Sequence, residues 1–134
     1  MFLRGTLLVL ALVACFCAGC GASNRAPDAA AVAERFQTAL DARDGEAACA
    51  ELSEQASSKL EQQEDSPCEQ AILALELPTG TAAANTSVYV TSASVSLTQG
   101  GTLFLDEAPE GWQVSAAGCR PTAPELPSYC ELED

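Results

Sequence analysis

The stretch SVYVTSASVSLTQGGTLFLDEAPEGWQVSAAGC, residues 87–119, decides the fold. Val88 and Val90 alternate with Tyr89, Val95 and Leu97 with Ser94 and Ser96, and Leu103 and Leu105 flank Phe104. Trp112, Val114 and Ala116 then alternate with Gln113 and Ser115. A period of two in Val-, Ser- and Thr-rich sequence belongs to half-buried strands. Gln99-Gly100-Gly101 and Ala108-Pro109-Glu110-Gly111 are turn sequences separating such runs. The segment reads as a four-stranded antiparallel meander with one apolar face.

The chain ahead of the meander has a different period. Val32, Phe36, Ala39 and Leu40 recur at helical spacing from Ala29, which predicts an amphipathic helix to about Ala42, broken by Asp44-Gly45. A second helix from about Glu46 to Lys59 places Cys49, Leu52 and Ala56 on one side. Ser66-Pro67-Cys68-Glu69 predicts a helix start, with Ser66 as N-cap and Pro67 at the first helical position, and the third helix runs to about Leu75. The fold class is α+β, with about three N-terminal helices covering the meander. Pro121, Pro124 and Pro127 make the tail irregular.

Seven cysteines fall in two groups. Cys15, Cys17 and Cys20 lie in the head of the chain; Cys49, Cys68, Cys119 and Cys130 lie in the body. Four cysteines in a small domain outside the cytoplasm make two disulfides, with three formal connectivities. Cys49, inward on the second helix, faces Cys68 in the first turn of the third, and a Cys119 to Cys130 bridge pins the tail to the last strand. Metal binding fares badly as a rival, since the spacings are long and the chain has no histidine and no Cys-x-x-Cys pair.

The head itself, Met1 to Gly19, has one charge, Arg4, followed by an apolar run ending in small residues, the layout of an export signal. Ala18-Gly19-Cys20 marks Cys20 as the lipidation site, and Leu12-Val13-Ala14-Cys15 offers Cys15 as the alternative. Residues 1–19 thus read as a lipoprotein signal peptide, 20–28 as a flexible tether containing Pro27, and 29–134 as a single domain. A diacyl anchor holds a protein stably at a membrane. The expected location is the outer face of the plasma membrane. Nineteen acidic residues against six basic ones give a formal charge of -13, which repels nucleic acid.

Helices followed by a curled meander ending in Gly111-Trp112-Gln113-Val114 and Gly118-Cys119 resemble the NTF2-like (cystatin-like, SnoaL-like) fold. The spacing of Ala48-Cys49, Pro67-Cys68, Leu77-Pro78, Val88-Tyr89 and Tyr129-Cys130-Glu131-Leu132-Glu133 is similar to that of a family of small actinobacterial lipoproteins of unknown function. The resemblance implies structural cysteines and no established activity. It also implies a cone whose mouth binds small apolar molecules, for which Trp112, Tyr89 and Phe36 are the candidate lining. Some relatives of that fold are isomerases or dehydratases.

Catalytic chemistry has little to stand on in these residues. Without histidine, a general base near neutral pH has to be a carboxylate of raised pKa, for which Asp106 is the candidate, with Tyr89 as an oxyanion donor; the plainer readings, which the residues favour, are a solvated acid at a strand end and a tyrosine on the outer face of an edge strand. No Gly-x-Ser-x-Gly elbow and no Cys-His pair is present, and Gly100-Gly101 lies between strands without a neighbouring Lys. The acidic run Glu61, Glu64, Asp65 lacks the ordered spacing of a calcium loop, and Asn85-Thr86-Ser87 is a formal sequon only. The expectation is a non-catalytic, cofactor-free binding or accessory module, attached to the membrane by lipid, with an envelope protein or a small apolar ligand as partner. Two alternatives stand beside it: an NTF2-like enzyme with a buried carboxylate, and a structural envelope accessory protein.

Overall fold

The computed structural model describes residues 25–79, 82–99, 101–121 and 128–134. The expected export signal (residues 1–19), Cys15, Cys20, Gly100, Pro124 and Pro127 lie outside the described residues. The protein is α+β. Helices α1 (Arg25–Asp41), α2 (Gly45–Ala50), α3 (Glu54–Glu64) and α4 (Cys68–Ala74) precede strands β1 (Ala83–Tyr89), β2 (Ser92–Leu97), β3 (Thr102–Ala108) and β4 (Gly111–Pro121). Two short strands, β5 (Ser128–Tyr129) and β6 (Leu132–Glu133), both pair with β4. All the ladders are antiparallel, in the order β1-β2-β3-β4, so the four main strands form the expected meander.

The helices lie where the apolar periodicity puts them, with corrected boundaries. α1 buries Ala29, Val32, Ala33, Phe36, Ala39 and Leu40 on one stripe. It starts at Arg25 rather than Ala29, because Pro27 in a first turn removes an amide that has no helical partner anyway. Its end is a Schellman motif: Arg43 takes the left-handed conformation (φ 54°), its N–H donates to the Leu40 carbonyl, and the Asp44 N–H donates to the Ala39 carbonyl. Asp44 then caps α2, accepting from the Ala47 N–H at 3.0 Å.

The single helix predicted from Glu46 to Lys59 is two helices. The chain leaves helical form at Leu52-Ser53 because its main chain pairs with the sheet: the Ser53 N–H donates to the Val114 carbonyl at 2.9 Å, and the Val114 N–H to the Glu51 carbonyl at 2.8 Å. Ser53 also starts α3 through its side chain, which accepts from the Ala56 N–H at 3.1 Å. The start of α4 is corrected too. Pro67, not Ser66, is the N-cap, and no side chain of its own caps the helix. Glu61 of α3 supplies the acceptor instead, taking the Cys68 N–H at 3.0 Å.

Both disulfides join the expected partners, Cys49 with Cys68 and Cys119 with Cys130. The first ties α2 to α4. The second ties β4 to the tail, which is not wholly irregular: β6 pairs Leu132 with Ala117, and Leu132 is buried.

Phe36, Leu60, Ile72, Leu103, Leu105, Leu132, Val95 and Val114 are the largest fully buried side chains, and they fill the space between helices and sheet. Strict alternation in the sheet breaks at the β3–β4 pairing and at the end of β1. The register of β3 against β4 shifts between Thr102 and Phe104 and again between Phe104 and Leu105, so β4 carries extra residues. After these bulges Ser115, Ala116 and Ala117 are all buried. Strand β1 stops at Tyr89. Val90, expected to share an apolar face with Val88, instead forms the β1–β2 turn with Thr91 and is 83% exposed.

Candidate functional site

The start of α1, the β1–β2 turn and the β3–β4 turn meet at one end of the sheet, and one side chain joins them. The guanidinium of Arg25 donates to the Val90 carbonyl oxygen and, at 2.5 Å, to Glu107 Oε2. It also lies over the indole of Trp112, 5.5 Å from the ring centroid, in cation–π geometry. Trp112 follows Gly111 at the start of β4 and is 8% exposed, so its ring is mostly core with one edge near the surface.

Beside this cluster is an open groove of about 370 Å³, lined among others by Arg25, Asp28, Arg35, Glu107, Glu110 and Trp112. Ala31 and Val32 of α1 supply its apolar floor. Arg35 on its other wall is held by both oxygens of Glu51, at 2.8 and 3.1 Å. That hydrogen bond, opposed by partial desolvation and helped by the carboxylate charge, raises the Arg35 pKa above its ordinary value. The groove therefore offers an indole and short apolar side chains rimmed by acidic and basic ones, a surface that can hold a ligand or peptide. A second groove of about 540 Å³ runs between α1 and α2 over Ala31, Ala39, Ala42 and Ala47, with Arg35 shared between the two.

The three residues expected to line one pocket are in three environments. Trp112 lines the groove. Phe36 is fully buried in the core. Tyr89 stands 64% exposed at the end of β1, and neither it nor Phe36 lines this groove. Asp106 pairs in register with Ser92 and Gln113 and accepts a 2.7 Å hydrogen bond from the Ser92 hydroxyl. It alternates with the buried Leu103 and Leu105, on the face turned away from the helices. Among the described residues the buried polar side chains are Gln37, Ser53 and Ser115, so no carboxylate is buried in the interior.

The acidic run is divided between structural tasks: Glu61 caps α4, and Asp65 ends α3 in the left-handed conformation. Among the described residues no three Asp, Glu or Cys side chains converge as a metal site would require. Likewise no described helix is long and apolar enough to cross a membrane.

Arg25 is the residue that sequence reasoning missed as part of the site. Pro27 marked its surroundings as tether, and the only available signal was an isolated basic residue just ahead of an amphipathic helix. No protein-family model matches the chain, and no match was found among curated proteins or solved structures.

Proposed function

We propose that this chain is an exported lipoprotein: residues 1–19 direct export, Cys20 carries the lipid, and the domain works outside the membrane as a non-catalytic binding or accessory module. One observation carries the reading. The two disulfides use all four cysteines of the body, so every remaining cysteine, Cys15, Cys17 and Cys20, falls within the first twenty residues. Disulfides of this kind persist in oxidising compartments, which agrees with an export signal. The lipidation chemistry needs a cysteine behind small residues, which Cys20 supplies. The order of helices and meander supports the NTF2-like assignment, and the groove at Trp112 is the contact surface for a ligand or partner.

A lipid tether holds such a module at high local concentration near other envelope proteins, so weak contacts suffice for function. The absence of a buried carboxylate among the described residues weighs against the isomerase-type alternative. The test is intact mass of the membrane-extracted protein with and without reduction and alkylation. The expected result is a chain beginning at Cys20 with acyl groups, and four alkylations that appear only after reduction. A mature chain without lipid, or free thiols before reduction, overturns the proposal.

A further inference from the structure

Among the described residues Val90 and Tyr89 are the two most exposed large hydrophobic side chains, 83% and 64%, and they are adjacent at the tip of the β1–β2 hairpin. Two features mark this tip as more than incidental exposure. Val90 has φ 44°, a left-handed conformation that a β-branched side chain resists and that Asn or Gly would adopt without strain in a two-residue hairpin turn. The tip is also braced from behind: Arg25 donates to the Val90 carbonyl, and the Glu107 N–H donates to the Thr91 carbonyl at 2.7 Å. A strained, unshielded apolar turn is thus held in one projecting position.

The chain's path says what it meets. The domain is entered at Arg25, whose own side chain touches this tip. We propose that the Tyr89-Val90 tip is the membrane-contacting point of the domain, seated at the lipid headgroup level; this rests on the lipidation of Cys20 proposed above. Cys20 and Arg25 are five residues apart, a span of at most about 18 Å when fully extended. A domain of about 110 residues is about 34 Å across, whereas the tether keeps Arg25, and with it the adjacent tip, within about 18 Å of the bilayer surface and sets no such limit on the β2–β3 turn at the other end of the sheet. The Arg25 end is held toward the lipid, and Tyr89 and Val90 are its apolar prominence.

Their chemistry suits the headgroup region, where a tyrosine ring buries its body and keeps its hydroxyl wet. The charge excess of -13 opposes attraction to anionic headgroups, so the contact is apolar and depends on the tether. Arg25 pairs with Glu107, one of the acids at this end of the sheet.

The test places a new tryptophan at each end of the acylated full-length protein, in phosphatidylcholine vesicles with brominated acyl chains as quencher. Tyr89→Trp and Thr91→Trp report the tip, Thr98→Trp reports the opposite end, and the wild-type signal of Trp112 is subtracted from each. The expected result is quenching at both tip positions about twofold or more above that at Thr98→Trp, with a blue-shifted emission. Using two tip variants protects the result against a folding defect in one. Equal quenching at the two ends overturns the proposal while leaving the lipoprotein reading intact, and the tip then faces away from the bilayer as a surface for a protein partner. Intact mass of the same samples separates the two claims: absence of lipid defeats both, and acylation at Cys15 removes the short tether and overturns this one.

Discussion

Gly45 shows how one missing side chain sets the spacing of two helices. It is buried at the start of α2, and a Cβ built there would stand 2.0 Å from the carbonyl oxygen of Glu69 on α4. Its backbone carries no left-handed angle, so the requirement is close approach alone. The left-handed residue that ends α1 is Arg43. Asp44-Gly45 is legible as a helix break because both residue types interrupt helices, but the division of labour between Arg43 and Gly45 depends on α4, which comes later in the chain. Gly45→Ala is expected to destabilise the domain by about 1–3 kcal/mol through overpacking. Urea unfolding checks this, with a lower midpoint at unchanged slope as the expected outcome. The Cys49–Cys68 bridge prevents α2 and α4 from moving apart to accommodate the methyl group.

At the scale of elements, the same bridge closes a loop of sequence separation 19, and Cys119–Cys130 closes one of 11. Loop-closure entropy assigns each about 3 kcal/mol of stabilisation. The double variant Cys49→Ala, Cys68→Ala is expected to lose about that amount, read as a fall in ΔG of unfolding by denaturant titration. The pairing was legible because Cys49 and Cys68 lie at facing positions of the second and third helices read from the sequence, which are α2 and α4 in the fold. The split between α2 and α3 was not. Nothing local in Leu52-Ser53 forbids a helix; the break comes from Val114, whose N–H and carbonyl are satisfied by Glu51 and Ser53. An open strand edge deep in the fold needs those bonds, and the linker provides them. The Glu61 cap on α4 is similarly invisible, since a carboxylate seven residues upstream becomes a cap only when α3 folds back over α4.

Across the whole molecule the dominant feature is acid excess. The formal charge is -13, and the described residues include three ion pairs, Arg25 with Glu107, Arg35 with Glu51 and Arg120 with Glu131. All three are at least partly exposed, so none stabilises strongly. Self-repulsion therefore outweighs ion pairing at low ionic strength. Raising the salt from about 0.01 to 1 M shortens the screening length from about 30 to 3 Å and is expected to raise Tm by about 3–5 °C, measured by scanning calorimetry. The raised pKa of Arg35 adds no pH dependence near neutrality. A group held above its ordinary value contributes fully below that value and loses its contribution only as pH rises through the raised one, which for a guanidinium is strongly alkaline.

The sequence by itself determined the α+β class, the strands of the meander, the existence of the N-terminal helices and both disulfide partners. Each of these follows from short-range information: a period of two or 3.6, turn residues, and cysteines on neighbouring elements. Tertiary structure alone decided where the second predicted helix breaks, that Val90 projects in the turn, and that Arg25 belongs to the domain. These depend on contacts between residues far apart in the chain: Val114 with Glu51 and Ser53, and Arg25 with Val90, Glu107 and Trp112. Alternation alone does not say where a strand ends, so Val90 looked like the inward partner of Val88 until the sheet's register placed it in the turn. The physical reason is the same in each case: local propensity chooses the element, and the partner across the fold chooses its end.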